Sequence, residues 1–408
     1  MQNSGEERRV AYVVSNELVK ISSQLPSNRN RSFLVHSLVK AFGLLKPPGR
    51  DSVAGIQPLR PLPAQFKELS AYHDRDYLER LLQGEVYGAT NDTQHTEYGL
   101  EEDCPAFPHL PDYVRYVAGA TLAAARALKD DTADISVCWD GGRHHAQKAR
   151  ASGFCYVADC VLAILLLKRS LPATTERPLF RPRVMYLDFD LHFADGVSEA
   201  FYSSSKHSSS PQVLTLSIHH TAPGFFPVSH LAGLTDPQDS QFDPFTLSLP
   251  LERGASNKTF HRIWPLIEHV KDAFQPHYVV VQCGADGLSG DPYATWNWSL
   301  GGEGGMGWCV DRICHWPSRT LLLGGGGYNS PNVARAWTFL TSIALGRILP
   351  LDSDIPDHGA FPLYASSFTL DVPSGNIQDQ NTDAYLERVD QVFAQVVDAI
   401  REKMRSSS

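Results

Sequence analysis

The sequence lacks most of what would take a chain into a membrane, out of a cell or onto nucleic acid. Its longest apolar stretch, Val161 to Leu167, is far shorter than the ~20 residues a spanning helix needs. Residues 1–9 hold no apolar run, so no secretory leader is expected. Seven cysteines, an odd number without zinc-ribbon spacing, argue against a disulfide framework and for reduced thiols in an intracellular protein. Cys155, Cys283 and Cys309 sit in apolar or glycine-rich runs and read as small core residues. Basic residues are in the minority, 36 Lys and Arg against 45 Asp and Glu. The resulting net charge of −9 disfavours direct contact with nucleic acid and is compatible with a basic ligand. No convincing basic import signal is present. Proline-rich linkers and internal repeats are missing too, so one domain is expected over 9–402, with short flexible ends at 1–8 and 403–408.

What is there is a regular alternation. Strand-like runs fall at Val10–Val14, Ile135–Trp139, Val184–Leu187, Val213–Ile218, Thr246–Leu249, Tyr278–Gln282 and Thr320–Leu323. Helical patterns lie between most of them, at Phe33–Leu45, Tyr113–Leu128, Val157–Lys168, Phe260–Phe274 and Asn332–Ile348, with a last one near Thr382–Arg401. Such alternation predicts an α/β protein with a parallel sheet wrapped on both faces. Long polar loops are expected at Glu85–Pro105, Leu171–Pro182 and Ser203–Pro211. In sheets of this kind ligands bind beyond the carboxyl ends of the strands, and the chemically suggestive motifs fall there.

Asp188-Phe189-Asp190-Leu191-His192 follows the apolar run Val184–Leu187. Alternate side chains of a strand share a face, so Asp188, Asp190 and His192 point one way. Unpaired buried charge costs several kcal/mol or more, and a divalent cation is the simplest partner for two carboxylates and an imidazole. The mixed oxygen and nitrogen set suits zinc or another first-row metal. The plainer reading makes the acids turn residues and His192 a solvated loop residue. Asp286, among small residues after Tyr278–Gln282, can complete a three-ligand site with open positions, or serve as a helix cap.

His144 and His145 follow Gly141-Gly142 at another strand end. As general bases they need carboxylates to orient them, and Asp188 and Asp195 are available. Otherwise they are loop residues or two further metal ligands. Gly324–Gly327 has no following Lys-Ser or Lys-Thr and so is no phosphate loop. It lets Tyr328 project as a hydrogen-bond donor to an oxyanion, unless that ring merely packs under the loop. Gly153-Phe154 and Gly224-Phe225-Phe226-Pro227 each set rings beside glycine, and two such rings can face each other around an alkyl chain, although phenylalanine usually packs in the core.

Taken in order, Gly141-Gly142-x-His144-His145, Ser152–Tyr156, Asp188-x-Asp190-x-His192, Pro223–Pro227, Gly284-Ala285-Asp286 and Gly324–Asn329 make the chain resemble class I zinc-dependent histone deacetylases. The likeness extends from Arg31–His36 to Ile355–His358 and is stronger to the stand-alone subgroup. It implies the arginase/deacetylase fold, a single-domain three-layer α/β/α architecture around a mainly parallel sheet of about eight strands. It implies hydrolysis of N6-acetyl-lysine in histones or other proteins, with acetylated tails as partners, no direct nucleic acid and no membrane, in the nucleus or also the cytoplasm. Zinc, or ferrous iron in its place, is implied on Asp190, His192 and Asp286. His145 with Asp195 is implied as general base and acid, His144 with Asp188 as its electrostatic partner, and Tyr328 as the phenol that polarises the carbonyl. Gly153, Phe154 and Phe226 match the tunnel, Asp103 the rim carboxylate that grips the substrate, and Arg31 an internal acetate-release channel. A structural potassium ion is implied near Asp188, Asp190, His192, Ser217 and Ile218.

Several positions depart from the family pattern. Phe193-Ala194 replaces His-Gly, and Ala194 is expected to be strained if a positive φ is required there. Arg143 replaces Trp or Leu beside the release channel, Tyr293 replaces Leu or Met at the rim, and Val228-Ser229 replaces Gly-Thr. Two rival readings remain: a deacetylase of small acetylated amines such as polyamines, and a weakly catalytic scaffold that binds acetyl-lysine. A binuclear ureohydrolase of the same fold would need a second carboxylate set, and only one D-x-D-x-H is present.

Overall fold

A computed structural model describes residues 8–46, 55–83, 96–170, 180–203 and 211–406. Eight strands form one sheet: β1 Arg9–Val13, β2 Gly55–Leu59, β3 Ile135–Cys138, β4 Val184–Asp188, β5 Val213–His220, β6 Thr246–Leu251, β7 Tyr278–Gln282 and β8 Arg319–Leu323. Their spatial order is β2-β1-β3-β8-β7-β4-β5-β6, and every pairing is parallel. The fold is thus the expected α/β arrangement around an eight-stranded sheet.

Alternation along each strand divides the core between the two faces. In β4, Met185 and Leu187 join one apolar cluster while Val184 and Tyr186 join the other. The first cluster takes in residues from helices Arg31–Ala41, Asn257–Phe274, Met306–Cys314, Ser330–Ala344 and Asp383–Ser406. The second takes in residues from Leu110–Lys129, Asp159–Leu167 and Asp195–Phe201. Strands buried on both sides read as unbroken apolar runs, which is why seven of the eight were visible in the sequence. The exception is β2. Pro58 within Gly55–Leu59 removes a ladder donor, and an edge position tolerates that loss.

The last helix continues to Ser406, beyond the domain end and into the flexible terminus expected from 403. Residues 1–7 and parts of the three expected loops (84–95, 171–179 and 204–210) lie outside the described residues. All seven cysteines are free and buried. Among the described residues no helix is long and apolar enough to cross a membrane.

Four neighbouring strands, β3, β8, β7 and β4, occupy the middle of the sheet. Their carboxyl ends lead directly into Asp140–His145, Gly324–Tyr328, Cys283–Asp286 and Asp188–His192 respectively. Segments far apart in sequence are brought together because their strands are adjacent.

Candidate metal centre and active site

Asp190, His192 and Asp286 form the cluster, with one ligand atom from each lying within 4.8 Å of the others. His192 Nδ1 is 2.9 Å from Asp286 Oδ2 and 3.2 Å from Asp190 Oδ1. Both carboxylates are buried. Burial works against a charged imidazole, yet Asp190 and Asp286 raise His192 to about 10. Burial and the neighbouring Asp190 push the Asp286 carboxyl upward. Two desolvated acids converging on one ring nitrogen call for positive charge, and the donor set fits a small divalent ion.

The oxygens not facing His192 have partners of their own. Asp190 Oδ2 accepts from Gln282 Nε2 at 2.7 Å and from the Gly326 N–H at 2.7 Å. Asp286 Oδ1 accepts from the Leu191 N–H at 3.0 Å. Gln282 is a supporting residue that the sequence reading missed; its signal is a polar residue closing the apolar run of β7. Gly284 and Gly326 are required by close approach, since an added Cβ would fall 2.3 Å and 2.8 Å from Asp190 Oδ2.

The two histidines stand beside this cluster, their ring centroids 3.9 Å apart. His145 Nδ1 is 2.6 Å from Asp195 Oδ1, and His144 Nδ1 is 3.0 Å from Asp188 Oδ2. Their environments push them apart. Burial, then the charge of His144, lowers His145. For His144, burial is outweighed by Asp190 and Asp188, which raise it to about 9. The turn carrying both rings is held from below by Asp159, whose carboxylate accepts the N–H groups of Gly142 and Arg143 at 2.9 and 2.8 Å. Asp159 was also missed, because nothing local marks it as a turn anchor.

Aromatic rings surround these groups. Phe226 packs edge-on against His145 with centroids 4.9 Å apart, and Phe225 stacks on His192 at 5.2 Å. Phe154 meets Tyr328 at 5.6 Å. Gly153 has φ +54°, and a Cβ there would lie 2.3 Å from the His145 ring, so only glycine lets this loop close over the site. The exposed Asp103 carboxylate accepts the Gly153 N–H at 2.7 Å, which ties the rim to the wall. Tyr328 is half-buried, and desolvation followed by Asp286 and Asp190 raises its phenol well above the ordinary value. It therefore remains a proton donor.

Ala194 does not carry the strain considered for it. Its φ is −77°, so no left-handed conformation is required there. Arg143 is buried, donates to the Asp140 carbonyl at 3.0 Å and leaves Nε without a partner. Arg31 lies over Trp337 at 4.9 Å and donates to the Gly327 carbonyl at 2.8 Å. Burial, then Arg143, lowers the Arg31 guanidinium to about 10. Tyr293 is half-exposed and packs edge-on against Tyr328 at 4.7 Å. Ser217 is in register with Asp188 on neighbouring strands, and its Oγ accepts the Ala194 N–H at 3.3 Å.

Residues 25–344 match the family model for the histone deacetylase domain. The chain belongs to the histone deacetylase family. It is 38% identical to histone deacetylase 8 of Danio rerio over 383 residues, 94% of this chain and 93% of that one. Histone deacetylase 2 of Oryza sativa subsp. japonica is 36% identical over 396 residues, covering 94% of this chain and 70% of its own length. Histone deacetylase 1 of Bos taurus is 32% identical over 394 residues, 96% and 75% of the two chains. The family's activity is deacetylation of lysine by a metal-dependent hydrolase, and this chain is such an enzyme.

Proposed function

We propose that the chain removes acetyl groups from lysine side chains of histones or other proteins with zinc held by Asp190, His192 and Asp286. The observation that carries this reading is the convergence of two buried acids and one imidazole at neighbouring strand ends. A divalent ion bound there supplies a Lewis acid for the acetyl carbonyl and acidifies water.

The protein groups do the rest. His145 accepts a proton from the attacking water at Nε2, its Nδ1 being directed to Asp195. The lowered basicity of His145 leaves it free to take that proton near neutrality. Tyr328 donates a hydrogen bond to the developing oxyanion. His144, held by Asp188, stands beside His145 and tunes it electrostatically. The protonated pair then returns a proton to the leaving lysine amine, while acetate departs past Arg31. Gly153, Phe154 and Phe226 line the path of the lysine methylenes, Asp103 holds the substrate backbone at the rim, and Tyr293 flanks the entrance. Asp188, Asp190, His192, Ser217 and Ile218 would hold a monovalent cation, potassium, whose charge would steady the ends of β4 and β5.

A protein tail is favoured over a free polyamine by the open rim, where Phe226, Val228 and Tyr293 are 41%, 87% and 51% exposed. A nuclear site of action, also extending to the cytoplasm, follows from that substrate class. The test is hydrolysis of a fluorogenic acetyl-lysine peptide with and without a hydroxamate chelator, run beside acetylated polyamines. Chelator-sensitive turnover of the peptide is expected. Turnover confined to polyamines, or none at all, would refute the assignment.

A further inference from the structure

We infer that Asp291 is a positioning residue for Tyr328: its carboxylate ties the loop after β7 to the glycine loop after β8. Asp291 is 9% exposed. Its Oδ2 accepts the Tyr328 N–H at 2.6 Å and the Asn329 N–H at 3.1 Å, while Oδ1 accepts the Tyr293 N–H at 3.0 Å. A second tie runs from Asn329 Nδ2 to the Gly290 carbonyl at 3.0 Å.

The need for such a tie follows from the sequence. Gly324–Gly327 has no side chains with which to fix its own path, and Gly327 adopts φ +123°. The peptide joining Gly327 to Tyr328 is therefore the nearest point at which the phenol's origin can be fixed from outside the loop, and while Arg31 holds its carbonyl, Asp291 holds its N–H. An ionised acceptor makes shorter and stronger bonds to N–H groups than a neutral one. The same carboxylate sets Tyr293, whose ring rests edge-on against Tyr328 with centroids 4.7 Å apart. One buried acid thus fixes both the backbone of the oxyanion donor and the ring that packs beside it. Asparagine keeps the shape but turns an NH2 towards at least one of the three N–H groups.

This inference rests on the reading of Tyr328 as oxyanion donor, and a double-mutant cycle separates the two. Asp291→Asn, Tyr328→Phe and the double variant are assayed for kcat and KM on an acetyl-lysine peptide. Asp291→Asn is expected to lower kcat about tenfold to a hundredfold, as for a sub-ångström to ångström misplacement, with KM changed far less. In the Tyr328→Phe background the same substitution should cost less than about threefold, because the group it positions is gone. Losses that simply multiply would mark a general structural role and overturn the inference, as would wild-type kcat in Asp291→Asn. Full activity in Tyr328→Phe alone would instead refute the role of the tyrosine. If Asp291→Asn does not fold, Gly290→Ala perturbs the same turn through its φ of +84°, and the same cycle applies.

Discussion

Replacing Gly326 by alanine tests the metal centre without removing a ligand. The new Cβ would stand 2.4 Å from Asp286 Oδ2 and 2.8 Å from Asp190 Oδ2. Carbon and oxygen normally approach no closer than ~3.3 Å, so the carboxylates must retreat by about 0.9 Å and about 0.5 Å, or the loop must. Metal sites hold their distances to within roughly 0.2 Å, which makes either displacement large. If the loop moves instead, the Gly326 N–H bond to Asp190 lengthens, and a bond to a charged acceptor contributes roughly 1.5–3 kcal/mol. Loss of such support typically weakens metal binding about 10–100-fold, and kcat/KM should fall by about 10². Metal content after dialysis against graded chelator, measured by plasma mass spectrometry beside peptide hydrolysis, reads both quantities. Gly233→Ala is the control, since nothing lies within 4 Å of its added Cβ, and it should match the wild type. Wild-type metal retention and turnover in Gly326→Ala would refute the ligand assignment.

Tyr328→Phe should lower kcat by roughly 10²–10³, the loss expected for one oxyanion donor, measured in steady-state peptide hydrolysis. Chelation should lower the melting temperature and zinc should restore it, since a thousandfold excess over Kd is worth about 4 kcal/mol; an unchanged transition would count against a bound ion. His73 offers a pH test away from the active site. Burial lowers it to about 4, and its Nε2 accepts the Ala158 N–H at 2.9 Å while Nδ1 faces the Lys148 carbonyl at 3.1 Å. The unfolded chain takes up this proton near pH 6.5 and the folded chain only near 4, so stability is present above 6.5 and lost as pH falls towards 4. About 2 kcal/mol should be lost at pH 5. In His73→Gln, whose amide can make both bonds without titrating, the gap in melting temperature between pH 7 and pH 5 should shrink; an unchanged gap would refute the linkage.

The sequence revealed the centre of this molecule better than its margins. Buried parallel strands are apolar without interruption, so β3, β4, β7 and β8 could be read directly, and the residues just past them named the site. The edge strand β2 carries Pro58 and no such run, and it went unseen. Asp159 and Asp291 were invisible for a different reason. Each accepts hydrogen bonds from backbone N–H groups that follow another strand, and no local pattern announces a contact of that kind. Gln282 left only a polar residue at the end of an apolar run, and its partner, Asp190 Oδ2, lies past a different strand. Ala194 shows the opposite error. The substitution suggested strain, but the backbone there has negative φ, which any residue adopts.

The position of β8 bears on how the molecule is made. It is the last strand in the chain, yet it lies between β3 and β7 in the middle of the sheet. Without Arg319–Leu323 the sheet can exist only as two halves, β2-β1-β3 and β7-β4-β5-β6, each with an unpaired inner border of the kind that recruits other chains. Closing that gap joins the halves and delivers Tyr328 to the acids on β4 and β7 in one event. Completion of the sheet and assembly of the site therefore depend on the same strand, and a chain without β8 has neither.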